Sequence, residues 1–126
     1  MDIKETKEYF WLSNIPEAKI ADFGNKYSYE YFWNSIGVDS KGEVRIQIMC
    51  EDRWGYPEEF NLTAYGNIDI VEVLSKLDKI DAFVSDWINI VKEANEGKTF
   101  NGTTYEEALI DHRNISAQDQ TSCGLN

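Results

Sequence analysis

The chain has 126 residues, 23 acidic against 12 basic, giving a net charge of −11, and 42% of it is apolar, with four Trp, seven Tyr and six Phe. That length suits one domain with core enough to fold without metals or disulfides, and the apolar content sets it apart from disordered chains. Phosphate backbones and anionic membranes would be repelled, so direct binding to nucleic acid or membrane is excluded as an expectation and a basic protein is favoured.

The first residues, MDIKETKEYFWL, hold acids among the bases and no apolar run of signal-peptide length. No later window approaches the ~20 apolar residues that a bilayer span requires, so the expected location is cytoplasmic, the host cytoplasm for a phage-encoded chain. Ile3 to Leu12 reads as a short helix with Ile3, Lys7, Phe10 and Trp11 on one side, although the Phe10-Trp11 pair also suits a strand. A second short helix is predicted over 15–23, capped by Ser13 or Asn14, with Pro16 and Glu17 in its first turn and Gly24 as its stop.

From Tyr27 the period becomes two, with Tyr27, Tyr29, Tyr31 and Trp33 alternating with Ser28, Glu30, Phe32 and Asn34. Asp39-Ser40-Lys41-Gly42 then reverses the chain, with Gly42 at positive φ. Val44, Ile46, Ile48 and Cys50 alternate with Arg45, Gln47, Met49 and Glu51; further on, Phe60, Leu62 and Ala64 alternate with Asn61, Thr63 and Tyr65 up to Gly66. The expectation is a three-stranded antiparallel meander over about 27–65 with one apolar face.

Asn67 caps the strongest helical pattern, in which Ile70, Val73, Leu74, Leu77, Ile80, Val84, Trp87, Ile88 and Val91 recur at three- and four-residue steps up to Gly97. Helix at 1.5 Å per residue over about 68–96 would outreach a three-stranded sheet, so either one long helix or two, broken near Asp78 or Asp81, packs on the meander. Asn101-Gly102 predicts a tight ribbon between Thr99-Phe100 and Thr103-Thr104. Thr104 and Glu107 form a capping box for a last short helix to about Arg113, docking Ala108, Leu109 and Tyr105. The fold class is therefore α+β, with one domain over 1–115 and a mobile polar tail over 116–126.

No catalytic, cofactor or metal site is expected, and the chain is not expected to be an enzyme. The single His112 rules out two-histidine metal sites and reads as a surface residue beside Asp111 and Arg113; zinc-spaced cysteines, GxGxxG, the P-loop, HExxH and the EF-hand loop are missing. The doublets Glu51/Asp52, Glu58/Glu59 and Glu106/Glu107 cannot each serve one site, since neighbours on a strand diverge. Only Glu51 and Glu59 could meet across the hairpin.

Recognition chemistry concentrates between the second and third strands. Trp54 and Tyr56 offer rigid contact area, Arg53 a planar donor, and Glu51, Asp52, Glu58 and Glu59 surround them, so these seven residues are the candidate partner-binding site. The chain resembles, in size and acidity, the DNA-mimic and anti-CRISPR proteins that phages and mobile elements use against host defences. The likeness implies a stoichiometric inhibitor of a basic nuclease or nucleic-acid-binding protein. A toxin-immunity protein is one alternative; a small enzyme or ligand-binding domain with a pocket between the Tyr-rich strand and a helix is another. Monomer and dimer both remain open.

Overall fold

The apolar positions converge on one core, although its elements start and stop at places that local pattern does not set. A computed structural model of the chain describes residues 2–26, 31–39, 41–51, 57–66 and 80–124. A single 3-10 turn, Ile3–Glu5, leads into α1 (Lys7–Ser13) and α2 (Glu17–Lys26). The sheet follows as β1 (Tyr31–Val38), β2 (Val44–Glu51) and β3 (Pro57–Leu62). Helix α3 (Ile80–Ala94), a ribbon of β4 (Thr99–Phe100) and β5 (Thr103–Thr104), and α4 (Tyr105–Gly124) complete it. This is the expected α+β class, with strand order β1-β2-β3, antiparallel throughout, and a separate two-stranded ribbon.

The N-terminal segment is helical because its polar residues close helix ends. The Thr6 side chain accepts from the Tyr9 N–H at 3.2 Å, which caps α1 and leaves Trp11 and Leu12 to face inward, both fully buried. Ser13 and Asn14 do not cap α2 as expected; they finish α1. The Ser13 hydroxyl donates to the Phe10 carbonyl, and Asn14 is the C-terminal cap. The first bonds of α2 run instead from the N–H groups of Lys19 and Ile20 to the Pro16 carbonyl.

Gly24 does not stop α2 either. It lies buried within the helix, which continues to Lys26 because Phe23 packs on Phe83 and Trp87, with ring centroids 4.8 and 5.6 Å apart, and Lys26 pairs with Asp86 of α3. Burying such rings contributes about 1.5–3 kcal/mol each, more than the roughly 1 kcal/mol that glycine costs inside a helix.

In β2 the alternation holds. Val44, Ile46 and Ile48 are buried, while Arg45 and Gln47 are half-buried. The turn before it is built as expected: the Asp39 carboxylate accepts from the N–H groups of Lys41 and Glu43, both at 2.9 Å, and Gly42 sits at φ +84°. Of the predicted first strand, Tyr27 to Glu30 lie outside the described residues, as does Ser40.

The third strand ends at Leu62, short of the expected 65. Thr63, Ala64 and Tyr65 are all buried, so alternation fails there. The cause is two aromatic donors: Trp87 Nε1–H donates to the Thr63 carbonyl and the Tyr105 hydroxyl to the Ala64 carbonyl, each at 2.6 Å. With those carbonyls taken, the chain turns at Gly66, whose φ is +79°. The positive φ favours glycine there, and a Cβ at Gly66 would in addition stand 3.1 Å from two side-chain carbons of Ile88, tighter than ordinary contact.

Helix α1 lies against β2, α2 against β1, and α3 against both helices. Phe83, absent from the predicted stripe, is fully buried with Trp87 and Val91, whereas Val84 and Ile88 are half-buried. Residues 67–79, and with them the question of one helix or two, lie outside the described residues. A side-chain clasp joins the two ends of this layer. Asn95, 3% exposed, donates from Nδ2 to the carbonyls of Trp11 (2.9 Å) and Val91 (2.8 Å) and accepts from Asn14 Nδ2 at 2.8 Å.

The ribbon turns at Asn101 (φ 49°) and Gly102 (φ 83°), as the pair predicts. The capping box forms reciprocally: the Glu107 N–H donates to Thr104 Oγ1 at 3.2 Å, and the Thr104 N–H to Glu107 Oε1 at 3.3 Å. The last helix does not end near Arg113. It runs to Gly124, so 116–124 continues the helix; the stretch after Arg113 holds no proline, and its first glycine is Gly124.

Candidate functional site

The predicted partner-binding residues divide by position. Glu51 closes β2 opposite Pro57, Glu58 pairs with Cys50, and Glu59 pairs with Met49. Glu51 and Glu59 are therefore not register partners across the hairpin. The register leaves five residues, 52–56, between the paired strands. Asp52, Arg53, Trp54 and Tyr56 lie outside the described residues.

A second concentration of chemistry, missed by the sequence reading, lies where α1, the β1–β2 turn, the end of β3 and α4 meet. A cleft of about 190 Å³ is lined there by Thr6 and Glu8, by Glu43 and Val44, and by Thr63, Tyr65 and His112. His112 is not the plain surface residue expected. It is half-buried and stacks on Tyr65, with ring centroids 4.2 Å apart and planes 12° from parallel. The signal was present in the sequence: Tyr105, Ala108, Leu109 and His112 repeat at the helical three-four step, which puts the imidazole on the buried stripe.

Burial lowers the pKa of His112 below its ordinary value, against the pull of the Glu43 and Glu8 carboxylates, which favour the charged ring, while Lys7 opposes them. Burial likewise pushes the Tyr65 hydroxyl up, with the Glu8 charge adding to the effect. Arg45 sits beside Glu43, its Nη2 2.8 Å from the Glu43 carboxylate, and its Nε donates to the Asp39 carboxylate. The hydrogen bond from Arg45 holds the Asp39 carboxyl below the usual carboxylate range, ahead of opposing burial. The site is thus a small cleft with an aromatic wall and two carboxylates on its rim.

Two wider hollows flank α3. One, of about 330 Å³, lies between α2 and α3 and is crossed by the Lys26–Asp86 pair; the other, of about 320 Å³, lies between the end of α3 and the start of α4, beside Lys92, Glu96 and Glu106. Among the described residues no three His, Cys, Asp or Glu side chains gather closely enough to hold a metal ion, and no helix is long and apolar enough to cross a membrane. Comparison with known proteins gives no match to any family, to any curated protein or to any solved structure.

Proposed function

We propose that the chain is a small acidic protein-binding module that acts in the cytoplasm as a stoichiometric inhibitor, occupying the positively charged site of a basic nuclease or nucleic-acid-binding protein. This is the strategy of DNA-mimic, anti-CRISPR-type proteins of phages and mobile elements. The observation that carries the reading is where the charge lies. The chain has 11 more acids than bases, and none of the described carboxylates with placed side chains is buried, so the charge of those groups faces outward, where it can steer a cationic partner. The stretch Asp52 to Tyr56, with Glu51, Glu58 and Glu59 near it in the sequence, would supply the aromatic and arginine anchors of the contact. A toxin-immunity protein would use the same surface chemistry against a basic toxin.

Retrieval from the native host by the full chain, at low and at high salt, tests this reading. The expected result is capture of a basic nuclease or DNA-binding protein at about 50 mM salt that is lost at several hundred millimolar, because screening shortens the reach of surface charge. Copurification of a metabolite with no protein partner would overturn it in favour of the ligand-binding alternative.

A further inference from the structure

The cleft beside Tyr65 and His112 combines features that none of its elements has alone. Its wall is a pair of stacked rings, its rim carries Glu8 from α1 and Glu43 from the β1–β2 turn, and both carboxylates act on the imidazole. We propose that this cleft is a subsite for one guanidinium group, an arginine side chain of the basic partner, received between Glu8 and Glu43 against the Tyr65–His112 ring pair. The inference rests on the basic-partner reading and names where part of that partner binds.

The chemistry selects the ligand class. An anion would meet two carboxylates, and an apolar group would strip water from both without replacing its hydrogen bonds. An ammonium is a strongly hydrated point charge, whereas a guanidinium is planar, more weakly hydrated and suited both to paired carboxylate contacts and to aromatic faces. Glu43 already holds one guanidinium, that of Arg45 at 2.8 Å, and a carboxylate has about four acceptor sites, so a second donor can share it.

Occupancy is coupled to His112. The groups facing its ring are Lys7 and Glu8 from α1, Glu43 from the turn and Tyr65 after β3, with Asp111 and Arg113 beside it on α4. A bound cation disfavours the imidazolium, so guanidinium binding weakens as His112 protonates, and by reciprocity saturation moves the His112 midpoint to lower pH.

His112 is the only histidine, so its ring Hε1 proton gives one assigned NMR line within the cleft. The full chain is titrated with methylguanidinium, methylammonium and inorganic phosphate at constant ionic strength. The expected result is a saturable shift with methylguanidinium, a weaker one with methylammonium, and a lower His112 midpoint at saturation. In E8Q/E43Q the affinity should fall at least about tenfold, the scale of one lost charge-assisted hydrogen bond. Shifts no larger than sodium chloride produces, a stronger response to phosphate, or unchanged affinity in the double variant would each overturn the subsite. Should the double variant lose its folded spectrum, Glu8→Gln alone decides, and a loss below about threefold counts against the proposal. If the double variant still retrieves the same basic protein undiminished, the subsite fails while the inhibitor reading stands; if the unaltered chain retrieves none, that reading fails independently of the titration.

Discussion

Tyr105 and Trp87 each spend their one polar hydrogen on a backbone carbonyl at the exit of β3, and this accounts for the place where the sheet stops. Burial pushes the Tyr105 hydroxyl well above the ordinary tyrosine value, and Tyr65 behaves alike. A raised folded-state value means that above about pH 10, where unfolded tyrosine ionises, the native chain holds more protons than the unfolded one. Stability contributed by these groups is therefore complete below about pH 10 and is lost as pH rises toward the folded-state values. Tyr105→Phe should cost about 1–3 kcal/mol near pH 7, since the Ala64 carbonyl is left unpaired, and should flatten the alkaline fall. Urea denaturation at pH 7 and pH 11 measures both; a variant with the parent's stability at pH 7 and the parent's slope above pH 10 would show that the hydroxyl is idle.

At the scale of elements, the capping box starts α4, and the box is exposed, so its contribution can be isolated. Thr104→Ala should lower stability by about 1 kcal/mol, read as a fall of a few degrees in Tm, while Thr104→Ser should keep most of it. Equal melting of all three would remove the cap as the helix start. This box was legible from sequence, as were the Asn101-Gly102 ribbon, the Asp39 to Gly42 turn and the β2 alternation, because each depends on residues within a few positions of one another. What was not legible depends on distant partners. Gly24 stays helical because of Phe83 and Trp87, β3 stops because of Trp87 and Tyr105, and the ring of His112 meets Tyr65. The cleft is the clearest case, since its lining comes from four separate segments and no spacing rule joins Glu8 to Glu43. The continuation of α4 past Arg113 has the opposite cause: a polar stretch reads as irregular chain, yet polar residues without proline or an early glycine are compatible with helix.

For the whole molecule, the core draws on nearly every described element, with Trp11 and Leu12 from α1, Val44, Ile46 and Ile48 from β2, Phe83, Trp87 and Val91 from α3, and Tyr105, Ala108 and Leu109 from α4. The pieces should therefore not stand alone. A chain ended after Ala94 lacks Asn95 and the α4 core residues, and it is expected to lose cooperative melting and to bind a hydrophobic dye; a sharp transition within a few degrees of the full chain would contradict this. The Asn95 clasp also sets an order in time. Its acceptor at Trp11 lies 84 residues earlier, and at about 5–20 residues per second synthesis takes roughly 4 to 17 s to supply the amide that holds it. Until then β2 can already cover α1, but the Trp11 carbonyl lacks this partner, so a segment made early is finally fastened only when α3 is complete.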